Sequence, residues 1–138
     1  MTVTQKYLDE LTYKILGCAI EVHKHLGPGL LESVYERCFV HELSLRALNF
    51  ETQRCVPLNY KGIYLEAELR YDVLIEGLVI TELKSIDGIL PIHQAIVLTY
   101  MKMLEKPKGI IINFNCINII KEGQKTLVNE IYAKLPSD

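Results

Sequence analysis

The chain has no surplus of basic residues: its 138 residues hold 15 Lys plus Arg against 17 Asp plus Glu, a formal charge of -2. Sequence-blind affinity for nucleic acid comes from neutralising phosphates with excess Lys and Arg, so a nonspecific polyanion coat is excluded and any engagement of nucleic acid has to be local. Cysteine is sparse and scattered: Cys18, Cys38, Cys55 and Cys116 form no CxxC pair. That excludes a zinc knuckle or thioredoxin-type motif and leaves buried free thiols as the expectation. No apolar run approaches the roughly 20 residues of a membrane span. The opening MTVTQKYLDEL carries early acids and lacks a signal peptide's apolar core, so a soluble cytoplasmic protein is expected. There are no repeats, low-complexity tracts or linkers, and residues 1–138 are expected to form a single domain. With 49% apolar and 23% charged residues, a disordered polyelectrolyte is also excluded. A chain of this size buries roughly two-thirds of its unfolded surface, so it needs no disulfide or structural metal to fold.

Helical periodicity comes first along the chain. Leu8, Leu11, Ile15, Cys18, Ala19, Val22 and Leu26 recur at three- and four-residue spacing, which predicts a core-facing amphipathic helix from about Thr4, a candidate N-cap, to Leu26. Gly27-Pro28-Gly29 stops it, and Leu31, Val34, Tyr35, Cys38, Phe39 and Leu43 predict a second helix running to about Ala47. From Phe50 the period becomes two. FETQRCVPLNY, a Lys61-Gly62 turn, YLEAELRYDVLI, a Glu76-Gly77 turn and LVITELKS read as a three-stranded antiparallel meander. After the loop IDGILP, IHQAIVLTYMKML reads as a short helix whose apolar residues nearly surround it, as expected of one pressed into a core. GIIINFN is then a buried strand, parallel to an earlier one through a crossover. In the tail, a turn at Glu122-Gly123 precedes LVNEIYAKL, which reads as a terminal helix or a last strand with a frayed end, the helix being preferred.

The stretch RYDVLIEGLVITELK carries the chemistry. Arg70 and Asp72 share one strand face, and Glu82 shares a face with Lys84. Asp72 and Glu82 converge only if paired residue numbers sum to an even value, which requires a three-residue or bulged connection at Gly77 with Ile75 opposite Val79. Two opposed carboxylates about 5 Å apart at their β-carbons destabilise a sheet unless a cation intervenes. With the backbone carbonyl between Glu82 and Lys84, they make a hard-oxygen site suited to Mg²⁺ or Mn²⁺. Lys84 can hold or deprotonate a water and offset charge on an attacked phosphate. A surface salt bridge among Arg70, Glu82 and Lys84 accounts for the same spacing, and spacing alone favours it.

The likeness to a known family is broader than that spacing. AIEVHKHLGPGLLESVYE, HEL, VPLNYKG, the RYD and ELK strands, PIH, LTYMK and GIIINFN, spanning about Leu11 to Asn115, resemble the small bacterial GxxExxY family of the PD-(D/E)XK nuclease-like superfamily. Its name pattern stands here as Gly29-Leu30-Leu31-Glu32-Ser33-Val34-Tyr35, and the extent of the likeness reverses the preference for a salt bridge. The resemblance implies an α/β restriction-endonuclease-like core and a Mg²⁺- or Mn²⁺-dependent nuclease of nucleic acid. It implies a site joining Glu32, Asp72 and Glu82 as metal-holding acids to Lys84 as the catalytic lysine. Read by itself, Glu32 is an acid in the first turn of its helix, favourable to the helix dipole. Tyr35, one turn along, either steers Glu32 or packs, and packing is preferred. The same family usually carries a glutamine four residues before the tyrosine of the LTYMK-like segment, and counting back from Tyr100 gives Ile96. Gln94 is two positions away, roughly 200° around a helix, and cannot simply substitute. The departure keeps open a binding module that retains the fold without turnover, beside a structural domain that homo-oligomerises through its apolar first helix. His23, His25 and His41 have no zinc spacing, and His93, close to the site in sequence, is a candidate phosphate contact. Asn113 and Asn115 are read as strand-terminating residues.

Overall fold

The computed structural model describes residues 2–65 and 69–138. Helix α1 (Gln5–Leu26) begins where expected, with the Thr4 hydroxyl accepting from the Tyr7 amide at 3.0 Å. Gly27 and Gly29 take positive φ, 71° and 95°, a region glycine enters without steric cost, and the chain turns straight into α2 (Glu32–Leu45).

The meander is present but interrupted. The first expected strand is two, β1 (Phe50–Thr52) and β2 (Leu58–Tyr60), and the second is also two, β3 (Ile63–Leu65) and β4 (Val73–Ile75). Residues 66–68 of that second run lie outside the described residues. β2 and β3 form their own antiparallel hairpin, while β1, β4 and β5 (Val79–Lys84) are the antiparallel part of the main sheet. The break follows from backbone geometry: Gln53 adopts φ 52° directly after β1, and Pro57 lacks the N–H that a continued ladder would use.

Helix α3 (Pro91–Leu104) leads to β6 (Lys108–Asn113), which pairs parallel with β5, as the crossover requires. The tail divides between the two expectations: β7 (Gln124–Val128) pairs antiparallel with β6, giving the sheet order β1-β4-β5-β6-β7, and takes Leu127 and Val128, while the expected terminal helix is confined to a single turn after Asn129. Thr126 and Val128 are β-branched, which favours the strand, and the Asn129 side chain starts the helical turn by accepting from the Ile131 and Tyr132 amides. Two single-turn helices, α4 (Ile119–Glu122) and α5 (Glu130–Ala133), flank it.

Helices α1 and α2 cover one face of the sheet, burying Leu8, Ile15, Cys18, Phe39 and Leu43 against Val73, Ile75, Val79, Ile110 and Ile112. On the other face α3 is the one helix among the described residues, packing Val97, Tyr100 and Met101 on Leu74, Ile80 and Ile111, with Val56 and Tyr71 completing the cluster. Gly109 permits that approach, since a β-carbon there would meet Val97 Cγ1 at 2.6 Å and Met101 Sδ at 2.8 Å. The expectation that α3 is buried nearly all round is corrected: Ile92, Ile96 and Leu98 are 59%, 42% and 40% exposed, because among the described residues no further layer lies outside it. No described helix is long and apolar enough to cross a membrane.

Candidate active site

The Glu76-Gly77 connection sets the register. Both residues have positive φ (54° and 66°), and the Leu78 amide donates to the Ile75 carbonyl at 2.9 Å. Yet Ile75 pairs with Val79, leaving Leu78 as the extra residue of a bulge, so an odd sum becomes even. Val73 stands opposite Thr81, and the next position brings Asp72 to Glu82.

The two acids interlock through the backbone. The Asp72 amide donates to Glu82 Oε2 at 2.9 Å, and the Leu83 amide donates to Asp72 Oδ2 at 2.8 Å, so each carboxylate satisfies a peptide N–H where the β4–β5 ladder ends. Glu82 is only 6% exposed. Burial first, and the neighbouring charge of Asp72 second, push its carboxyl up to about 8, with Lys84 opposing. Beside Asp72 and without a cation, the Glu82 carboxyl is thus driven toward its protonated form, and a dication held there would favour the ionised one.

The carboxylates open onto different cavities at the sheet's end. Asp72 lines a cleft of about 320 Å³ with Glu32, Ser33, Glu36, Gln53 and Leu83, on the α2 side. Glu82 lines a slot of about 20 Å³ on the α3 side with Lys84, His93, Ile96, Val97 and Ile111. Glu32 is tied to the end of β5: the Ser85 amide donates to its Oε2 at 3.2 Å, and Ser85 Oγ donates to the Leu30 carbonyl at 2.6 Å. Among the described residues no group of three or more His, Cys, Asp or Glu side chains is gathered closely enough to hold a metal ion. The close pair is Asp72 with Glu82, and Glu32 lies elsewhere along the cleft.

The other sequence candidates separate. Tyr35 packs: it is fully buried, stacked on Phe114 with ring centroids 4.4 Å apart, and its hydroxyl donates to the Gly27 carbonyl at 2.5 Å while accepting from the Leu30 amide at 3.1 Å. It holds the glycine corner that presents Glu32. Arg70 is exposed, and no ion pair among the described residues joins it or Lys84 to Glu82, so the salt-bridge reading is corrected. Arg70 lies outside the named strands and forms an isolated antiparallel bridge with Cys55. Tyr100 lies beneath the site, its hydroxyl pKa raised by burial and then by the charge of Glu82. Gln94 does not line the slot, whereas His93 and Ile96 do.

Two neighbours escaped sequence reasoning. Gln53 Nε2 donates to Glu36 Oε1 at 2.7 Å and to Asp72 Oδ1 at 3.3 Å, bridging two acids. Burial raises the Glu36 carboxyl, Gln53 opposes this, and Asp72 adds to it. Glu36 sits one turn beyond Glu32, a helical spacing that would have singled it out, but nothing in the sequence marks Gln53, whose position depends on its positive φ. Asn113 and Asn115 do more than end a strand: their amide nitrogens donate to the Ile86 carbonyl at 3.0 and 3.1 Å, and the Ile86 amide donates to Asn113 Oδ1 at 3.1 Å. They fix the loop whose Ser85 holds Glu32.

A family model described as the PD-(D/E)XK nuclease superfamily matches residues 9–127. No curated protein and no solved structure matches the chain.

Proposed function

Because the chain belongs to the PD-(D/E)XK nuclease superfamily, we propose that it is a divalent-metal-dependent phosphodiesterase acting on nucleic acid, of the GxxExxY type, working as a single domain. The observation that carries this reading is the buried Glu82 opposite Asp72, whose carboxyl is driven toward its protonated form by burial and by the second acid. Such a pair suits a hard dication, Mg²⁺ or Mn²⁺, which Asp72 and Glu82 would hold with Glu32 as a third acid from across the cleft. That ion supplies Lewis-acid stabilisation of charge on the scissile phosphate. Lys84 offsets the remaining negative charge and holds the attacking water. Water attacks phosphorus in line, the bond to the leaving oxygen breaks, and that oxygen takes up a proton from solvent while the attacking water gives one up. Arg70, exposed beside the site, is suited to meeting the substrate backbone.

The test is cleavage of DNA and RNA with Mg²⁺ or Mn²⁺ by wild type, Lys84→Ala and Asp72→Ala. Each substitution is expected to reduce cleavage by at least roughly 100-fold, the scale of losing one charge-stabilising group. Metal-dependent cleavage untouched by either overturns the site assignment. One observation favours a second reading, a fold that binds without turnover: the slot beside Glu82 is walled by the apolar Ile96. Binding of nucleic acid with no cleavage of any DNA or RNA decides for it. Homo-oligomerisation through α1 is disfavoured, since Leu8, Leu11, Ile15, Cys18, Ala19 and Val22 of its stripe are buried in the core.

A further inference from the structure

The slot on the α3 side of β5 contains a detail that helix architecture alone does not require. At the start of α3 the Leu90 amide donates to His93 Nδ1 at 2.8 Å. A peptide N–H can only donate, so Nδ1 is the acceptor nitrogen and the ring proton of neutral His93 sits on Nε2. The acceptor job at this third helical position is one that Glu or Gln performs in a capping box. Histidine performs it while leaving a fixed N–H on the far side of a rigid ring. The residue is half-buried and lines the slot with Glu82 and Lys84, and the remaining walls, Ile96, Val97 and Ile111, are apolar. At about 20 Å³ the slot admits one oxygen-sized group. Lys84 brings a cation to it and His93 a neutral N–H, in a small recess beside Glu82.

We infer that His93 Nε2–H is a substrate-contacting donor that, with Lys84, receives a non-bridging oxygen of the scissile phosphodiester in this slot. The inference rests on the nuclease reading and adds a residue to it. A donor fixed before the substrate arrives needs no reorganisation as charge builds on the phosphate, and the apolar walls strengthen its hydrogen bond.

Capping and donation separate by substitution. His93→Glu keeps an acceptor for the Leu90 amide but removes the donor, whereas His93→Gln supplies both. With a single-site oligonucleotide and Mn²⁺, His93→Glu is expected to lower kcat roughly 100-fold, the scale found for one oxyanion donor. It should leave the melting temperature near that of wild type, and His93→Gln should recover most of the rate. A second readout is independent of turnover: imidazole ¹⁵N spectra should show Nε2 protonated and Nδ1 bare, with the Nε2–H resonance moving when inorganic phosphate is added to wild type but not to Lys84→Ala. An active wild type with His93→Glu equally fast, or with His93→Gln as slow as His93→Glu, overturns the inference alone. So does an Nδ1–H tautomer, or an Nε2–H signal indifferent to phosphate. A wild type that cleaves nothing overturns the nuclease reading and this inference with it.

Discussion

The two faces of the central sheet are built to different thicknesses. Two long helices seal one, leaving Leu8, Ile15, Cys18, Ala19, Phe39 and Leu43 with no exposed surface. The other is covered by one helix, the 14-residue α3, with Val56 and Tyr71 beside it, and the outer positions Ile92, Ile96 and Leu98 of that helix face outward. A charge buried between two sealed layers requires a dedicated partner for every oxygen. A charge at the rim of a single helix has peptide amides on one side and an opening on the other. Glu82 occupies that rim: its neighbours Ile80 and Ile111 belong to the thin face, and its carboxylate meets the Asp72 amide where the β4 ladder ends. The thick face supplies rigidity, and the thin one tolerates an acid pair.

The largest test of this contrast is packing. Phe39→Ala on the sealed face is expected to cost about 3–5 kcal/mol in urea unfolding, because close-packed neighbours cannot collapse into the space. Met101→Ala beneath α3 is expected near the low end of about 2–5 kcal/mol, since a single helix can settle toward the sheet. Equal costs would break the contrast. Next comes the pH dependence of the rim. With its folded pKa raised from 4.5 to about 8, Glu82 binds its proton more tightly in the native state. Its contribution to stability is then complete below pH 4.5, falls as pH rises, and is lost above about 8. Glu82→Gln removes this slope, so the metal-free variant is expected to exceed wild type by up to about 5 kcal/mol at pH 9, at roughly 1.4 kcal/mol per pKa unit, and the gain should vanish near pH 4. Thermal unfolding across that range checks the sign, and a wild type that gains stability between pH 5 and 8 relative to the variant would sink it.

Much of this architecture is legible in the sequence because it rests on periodicity and parity. The Thr4 cap, the glycine corner and the parallel β5–β6 pair follow from spacing and punctuation. The pairing of Ile75 with Val79 follows from requiring Asp72 and Glu82 to meet. What stayed hidden depends on backbone states and on layer count. The positive φ of Gln53 splits the meander and swings its amide between Glu36 and Asp72, and no spacing signals a left-handed glutamine. The apolar surround of α3 implied burial on all sides, but periodicity cannot say whether a second layer exists. For the candidate site, parity alone brings Asp72 to Glu82, whereas the division of the candidate acids and Lys84 between two cavities follows from the end of the β4 ladder.

Smaller effects probe the parts that hold Glu32 and the outer side of α3. Tyr35→Phe keeps the stack on Phe114 but removes the hydroxyl that joins the Gly27 carbonyl to the Leu30 amide. A loss of about 1 kcal/mol is expected, the net worth of a hydrogen bond and its orphaned partner, measurable by urea unfolding. Ile96→Lys should fall within about 0.5 kcal/mol, because the side chain is 42% exposed and its ammonium can reach water along an apolar stem. The same change one residue on, at Val97, places a charge at a position 1% exposed and should unfold the protein. The adjacent pair therefore measures how thin the thin face is in solution. If Ile96→Lys proved as damaging as Val97→Lys, something would have to cover α3, and the contrast between the faces would hold only for the isolated chain.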